Sequence, residues 1–315
     1  NQVVLMNKLS VTHHGGTYPI IVKKGIRFDL HSYIEKSYSK ILIVTDGHVA
    51  KLYLEDVKRS LSTIPLTSFV IPAGEKSKSI DIYYQVQTKA IEEGLDRNSL
   101  IIALGGGVVG DLAGFVAATF MRGIDYIQMP TTILAHDSSV GGKVAINHPL
   151  GKNLIGAFYP PVGVFYDTET LESLPEREVR SGYAELVKEA LISDEALFNN
   201  MLKTPIKSLS MDELSSFIMA GIKVKQKIVQ ADEFEHGIRS YLNLGHTLAH
   251  ALEAEYGYGE VTHGEAVAIG LLFSMHASEN IFRVELPFEK LKNWLNENDY
   301  PLAGLPMDSD RLIGH

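Results

Sequence analysis

Cysteine is absent from the 315 residues. That excludes a disulfide frame and any thiolate metal site, so a metal here would be held by His, Asp or Glu. Long apolar runs are missing too. None approaches the ~20 residues that a membrane-spanning helix needs, and the N-terminal stretch lacks a signal-peptide core. Positive charge is in deficit: 29 Lys and Arg stand against 38 Asp and Glu, a formal net charge of −9. This argues against a generic nucleic-acid surface. Nor is the composition that of a disordered chain, with 45% hydrophobic and 21% charged residues. At ~100–200 residues per domain, the length points to two domains. A soluble, cytoplasmic enzyme is the expectation.

The pattern changes near residue 170. Before it, short β-branched runs alternate with amphipathic stretches. Ile41–Thr45, Ser68–Ile71, Leu100–Leu104 and Tyr126–Met129 read as strands, each stopped by Gly, Pro or a polar break. Ile80–Glu93 has helical spacing of Ile82, Val86 and Ile91 and stops at Gly94. Alternating signals of this kind argue for a parallel sheet with helical crossovers. After Thr168, Arg180–Ile192, Met211–Val229, Gly245–Glu255 and Gly264–Glu279 carry apolar stripes of helical period. We therefore expect an α/β domain over residues 1–168 and an all-helical domain over 169–315. Met6 is compatible with a native start, with Asn1 to Leu5 then lying upstream of it.

Gly105-Gly106-Gly107-Val108-Val109-Gly110-Asp111 follows a strand and opens a helical stretch. Glycines there let backbone N–H groups approach a pyrophosphate at a helix N-terminus. The run is neither G-x-G-x-x-G nor a P-loop, and a plain tight turn explains it equally well by itself. Asp46 and Glu75 sit just past two other strand ends, where a carboxylate can accept from ribose hydroxyls, or simply cap a helix. Three such features at successive strand ends favour a dinucleotide crevice.

Four of the twelve histidines, His236, His246, His250 and His263, fall in one segment. Helical spacing brings His246 and His250 onto one face. Position 247 is Thr, so the metalloprotease pattern His-Glu fails. Glu185, in an apolar helical run, is the candidate carboxylate ligand. Two His and one carboxylate with an open position make a catalytic rather than a structural set. Lys143, Lys152, Lys188, Lys225 and Arg239 are dispersed, each embedded in one of these motifs. Together they suggest a cationic pocket in an acidic protein, suited to phosphate and carboxylate.

Taken in order, these segments carry a resemblance. Gly105–Asp111, Met121-Arg122-Gly123, Pro130-Thr131-Thr132, Asp137-Ser138-Ser139-Val140-Gly141-Gly142-Lys143, Gly151-Lys152-Asn153, Tyr183-Ala184-Glu185 with Lys188, Leu242–His250 and His263-Gly264-Glu265 resemble the 3-dehydroquinate synthase family over nearly the whole chain. The resemblance implies a Rossmann-like parallel sheet in the first domain and a metal-binding helical second domain. It implies conversion of 3-deoxy-D-arabino-heptulosonate 7-phosphate to 3-dehydroquinate and phosphate, the second step of the shikimate pathway. NAD would be oxidised and regenerated within one cycle, beside one divalent metal, zinc or cobalt, per subunit.

Residue by residue, the resemblance implies Glu185, His246 and His263 as metal ligands. Asp46, Glu75, Lys76, Gly105, Gly106, Gly107, Asp111, Thr131, Thr132 and Asp137 would line the NAD site, adjoined by Lys143, Lys152 and Asn153. Lys143, Lys225 and Arg239 would grip the substrate carboxylate. Asn153, Asn243 and His250 would meet its phosphate, with Arg122 supplied across a homodimer. Lys152, Lys188, Asp137 and His250 would be the catalytic residues. The family also has an Asp-Lys-Lys segment after the region matching Leu312-Ile313-Gly314, whereas this sequence ends at His315. One phosphate contact therefore departs from the pattern. Two enzyme classes remain as alternatives: a metal-dependent alcohol or glycerol dehydrogenase, and a sibling cyclase such as 2-deoxy-scyllo-inosose synthase. A non-catalytic NAD-binding module is a third.

Overall fold

The computed structural model describes residues 7–256 and 260–302. The chain divides into two compact units, Asn1–Ser173 and Leu174–His315. The expected start at Met6, with Asn1 to Leu5 upstream of it, and the departure after Leu312-Ile313-Gly314 lie outside the described residues.

The first unit is built on a seven-stranded sheet. Its strands are β1 (Asn7–His13), β2 (Gly16–Val22), β3 (Ile41–Asp46), β4 (Leu66–Ile71), β5 (Leu100–Gly105), β6 (Asp125–Pro130) and β9 (Gly163–Tyr166), in the order β1-β2-β9-β6-β5-β3-β4. The four strands expected from the sequence are β3 to β6. They pair in parallel, Ile41 opposite both Leu66 and Leu100, and Leu100 opposite Asp125. Every residue of β5 is buried, as both-face coverage of a parallel strand requires. The first pair, β1–β2, is antiparallel, so the sheet is mixed at that edge.

Chain order reverses at β3, one strand in from the β4 edge: β4 flanks β3 on one side and β5 flanks it on the other. Ligands of open α/β sheets bind at such a reversal, beyond the carboxyl ends of the strands. Here those ends are Asp46 and Gly105.

Helices follow the strands. The short α1 (Gly47–Val49) runs through a π-helical turn, Ala50–Leu54, into α2 (Glu55–Ser60). Then come α3 (Ile80–Glu92), α4 (Gly107–Thr119) and α5 (Ala135–Ser138). The helix α4 lies very close to its neighbours. A Cβ on Gly114 would stand 2.4 Å from Val144, and one on Gly110 would stand 2.6 Å from Gln128. Val144 belongs to a separate antiparallel hairpin, β7 (Lys143–His148) and β8 (Gly151–Phe158), absent from the sequence-based reading.

Among the described residues the second unit is helical: α6 (Glu176–Ser193), α7 (Glu195–Met201), α8 (Met211–Ala231), α9 (His246–Tyr256), α10 (His263–Phe282) and α11 (Phe288–Glu297). Four of these, α6, α8, α9 and α10, are the expected helices, with ends within about a turn of those expected. Capping boxes explain two starts, Ser210 with Glu213 on α8 and Thr262 with Glu265 on α10. The middle of α6, Ser181–Ala190, is buried on all sides, so it is the axis around which α8 and α10 pack. No described helix is long and apolar enough to cross a membrane.

Candidate active site

In the second unit, three helices bring Glu185, His246 and His263 together. Their ligand atoms lie within 4.8 Å of one another. Glu185 is on the buried axis of α6, and its Oε1 is 3.3 Å from His246 Nε2 and 3.0 Å from His263 Nε2. Both rings are oriented from behind. His246 Nδ1 donates to the Leu244 carbonyl at 3.2 Å, and His263 Nδ1 donates to Glu253 Oε2 at 3.1 Å. Engaging Nδ1 fixes the tautomer that aims Nε2 inward. Glu253 was not expected from the sequence, because nothing in the local pattern sets it apart from a helical surface acid.

A buried carboxyl group tends to stay neutral, yet Glu185 is held well below the usual carboxylate range. Burial pushes it up, but the Lys188 ammonium, 2.5 Å from Oε2, and hydrogen bonds from both histidines outweigh that. His263 shows the mirror image. Burial lowers its pKa, but hydrogen bonds to Glu185 and Glu253 dominate and raise it to about 9. The site therefore holds an ionised carboxylate and two converging imidazole nitrogens, a donor set that suits a divalent cation.

The start of α10 is placed by contact with α6. Gly264 N–H donates to Ser181 Oγ at 3.0 Å, and Glu265 accepts from Arg177 and Arg180 at 3.2 Å each. His250, one turn along α9 from His246, is exposed, its ring 5.6 Å from that of His246 and 6.2 Å from that of His263. The fourth histidine of the sequence cluster, His236, is exposed and tilted against Phe234, 6.5 Å between centroids. Lys225 on α8 is buried, as is Arg239 on the 3-10 segment Ile238–Asn243 that packs against α8. Asp232 organises that segment by accepting backbone N–H groups of His236, Gly237 and Arg239, a role the sequence did not disclose. Asn243 is exposed and donates to Glu235 at 3.0 Å.

In the first unit, the glycine turn lies at the strand-order reversal. Gly106 caps α4 with no side-chain hydrogen bond, so no side chain caps the amides of its first turn. Packing also demands these glycines. A Cβ on Gly105 would lie 2.7 Å from Val109, and one on Gly106 would lie 3.1 Å from Thr132. Asp46 takes the capping role weighed for it: Oδ1 accepts from His48 and Val49 N–H at 2.8 and 3.0 Å. Glu75 Oε1 accepts from Asn147 at 2.7 Å. Lys76 is exposed, whereas Lys78, not singled out from the sequence, is buried with its ammonium 2.5 Å from Asp111.

Thr131 N–H donates to the Gly105 carbonyl, and Thr132 Oγ1 accepts from Ala135 N–H at the start of α5, the helix that carries Asp137. On the hairpin, Lys143 and Asn153 are exposed and Lys152 is half-buried. Arg122 is exposed with φ 65, next to Met121 with φ 48. Two adjacent non-glycine residues in the left-handed region mark a strained turn.

The first-unit profile of the family, 3-dehydroquinate synthase N-terminal, matches residues 68–181, and 3-dehydroquinate synthase C-terminal matches 182–315. The 3-dehydroquinate synthase of Oceanobacillus iheyensis is 59% identical over 298 residues, covering 94% of this chain and 83% of that protein. The chain belongs to the 3-dehydroquinate synthase family. The Halalkalibacterium halodurans family member is 53% identical over 315 residues, 98% of this chain and 87% of that one. Among solved structures, 2-deoxy-scyllo-inosose synthase complexed with carbaglucose-6-phosphate, NAD+ and Co2+ superposes with a TM-score of 0.89 at 28% identity. That match covers 98% of this chain and 86% of the other.

Proposed function

We propose that this chain converts 3-deoxy-D-arabino-heptulosonate 7-phosphate to 3-dehydroquinate and phosphate, using NAD and one divalent metal ion. The observation that carries the reading is the buried Glu185 with two imidazole nitrogens at 3.0 and 3.3 Å, in a chain of this family. Glu185, His246 and His263 would hold the metal, and a divalent cation there would supply the positive charge that eases deprotonation of a substrate hydroxyl. NAD bound beside the glycine turn would supply a transient hydride acceptor, and a ketone formed for part of the cycle would acidify the neighbouring C–H so that phosphate can leave. Residues 1–168 form the cofactor-binding domain, with Asp46, Glu75, Asp111, Thr131, Thr132, Asp137 and the glycine turn at the site. Lys76 belongs to the same group, joined by the buried Lys78 beside Asp111.

Residues 169–315 form the metal- and substrate-binding domain. Lys225 and Arg239 take the carboxylate of the substrate, and Asn243 and His250 take the phosphate. The family pattern assigns Lys143 to the carboxylate and Asn153 to the phosphate. Lys188 holds Glu185 ionised and, with Lys152, stabilises charge that develops on the reacting oxygens. Arg122 is turned outward and makes no ion pair among the described residues, which supports its use by a second copy of the chain in a homodimer. The test is phosphate release from the heptulosonate phosphate, run with and without a chelator, with glucose 6-phosphate as the sibling substrate. Release that is chelator-sensitive, specific to the heptulosonate, and free of NADH accumulation is expected. Stoichiometric NADH growth would point to a dehydrogenase instead.

A further inference from the structure

We propose that Asn147 is a positioning residue that couples the cofactor segment around Glu75 to the Lys152–Asn153 bend. The inference rests on the reading of Glu75 as a cofactor contact and of Asn153 as a phosphate contact. Asn147 lies where the β7–β8 ladder loses register, between Ile146 opposite Ile155 and His148 opposite Gly151. A bulge releases a residue from pairing and re-aims its side chain. Three polar groups of Asn147 reach two segments, Glu75–Lys78 and the bend at Asn153. Its N–H donates to the Lys78 carbonyl at 2.8 Å, Nδ2 donates to Glu75 Oε1 at 2.7 Å, and Oδ1 accepts from Asn153 N–H at 3.0 Å.

These partners fix the orientation of the amide. Reversed, it would set its oxygen against the Glu75 carboxylate and its NH2 against the Asn153 N–H. Asn153 needs the support, since its φ of 57 lies in the left-handed region. Lys78 in turn is paired with Asp111 on α4, the helix that begins at the glycine turn. One side chain thus joins the Glu75 segment to the bend that carries Lys152 and Asn153, and its backbone ties both to α4. A ligand that orders either segment biases the other, and the bias is reciprocal.

The measurement is calorimetric titration of inorganic phosphate into the metal-loaded protein, with and without saturating NAD. In the wild type, phosphate should bind at least about 5-fold more tightly when NAD is present. Asn147→Ala removes both side-chain links, and the ratio should fall to near one. Asn147→Asp keeps the acceptor for Asn153 but faces Glu75 with a second carboxylate, so its ratio should fall as well. Should Asn147→Ala not fold, Asn147→Asp carries the test. A residue serving only to stabilise the hairpin would lower Tm and leave the ratio alone. A ratio near one in the wild type, or one unchanged in the variants, overturns the coupling while leaving the proposed function standing. A wild-type protein that binds no NAD overturns both.

Discussion

Gly264→Ala should dismantle the metal centre without touching a ligand. A Cβ at that position would stand 1.8 Å from the Ser181 carbonyl oxygen, 2.4 Å from its carbon and 2.5 Å from Ser181 Cα. These are backbone atoms of α6, which no rotamer change can move. Reaching an ordinary contact of ~3.5 Å means parting α6 and α10 by roughly 1.7 Å at their closest point. The Gly264–Ser181 hydrogen bond of 3.0 Å is lost as they part. Overpacking of this kind costs about 1–3 kcal/mol and the buried bond about 1 more, so a loss of about 3 kcal/mol is expected. That corresponds to a Tm lower by about 5 °C for a chain of this length. The neighbour of Gly264 is His263, so the same displacement carries His263 Nε2 away from Glu185. Metal affinity should fall by about 100-fold or more, the upper end of what loss of ligand orientation does. Thermal unfolding and competition against a chromophoric chelator read the two effects. Gly47→Ala, where a Cβ would meet nothing within 4 Å, is the control and should match the wild type in both. A Gly264→Ala protein that melts with the wild type and binds metal as tightly would refute the packing argument.

Three further outcomes are expected. Glu253→Gln should weaken metal binding by about 10-fold in the same competition assay, because His263 loses the carboxylate that fixes its ring; unchanged affinity would remove Glu253 from the site. In the metal-free protein His263 has a pKa of about 9, raised above its unfolded value of ~6.5, so its stabilisation is complete below pH ~6.5 and is lost as pH rises through 9. Metal binding at pH 7 should accordingly release close to one proton, and affinity should climb with pH until about 9; calorimetry in buffers of different ionisation enthalpy showing no release would contradict this. Mixing Arg122→Ala with His246→Ala subunits should recover roughly a quarter of wild-type activity if each site borrows Arg122 from its partner, whereas heterodimers with no recovery would exclude the shared site.

What could be read from the sequence follows from where each signal is stored. Ile41–Thr45 and Leu100–Leu104 are continuous β-branched or aliphatic runs because parallel strands are covered on both faces, so their burial is written locally. The hairpin was invisible for the opposite reason. Gly151-Lys152-Asn153-Leu154 in β8 has polar residues and glycine on a pair that is only half covered, and its residues were legible as motif pieces rather than as a strand. Glu185 could be proposed because an acid in the apolar run Tyr183–Val187 stands out. Glu253, Lys78 and Asn147 could not, since each owes its place to a partner at least ten residues away in sequence: His263, Asp111 and Glu75. The i, i+4 pair His246 and His250 was a partial guide, as only the first ring reaches Glu185 and the second stays exposed beside it.

Lys188 poses the remaining question of energetics. It and Glu185 are both 1% exposed, an ion pair of 2.5 Å with almost no access to water. Buried pairs seldom stabilise more than apolar residues of the same size, so stability alone does not account for this one. Removing one partner is another matter, because it strands a charge. Lys188→Met should leave Glu185 opposed only by its two histidines, and about 3 kcal/mol of the metal-free protein's stability should go with it. A divalent cation bound by Glu185 would replace the missing positive charge. The variant should therefore gain more in Tm from saturating Zn2+ than the wild type does, while its phosphate release stays impaired because charge on the reacting oxygens is no longer compensated. Differential scanning calorimetry with and without Zn2+ separates the two roles. A variant whose Tm rises with the metal by no more than that of the wild type would mean that Lys188 does not balance Glu185, and that its burial in α6 has another cause.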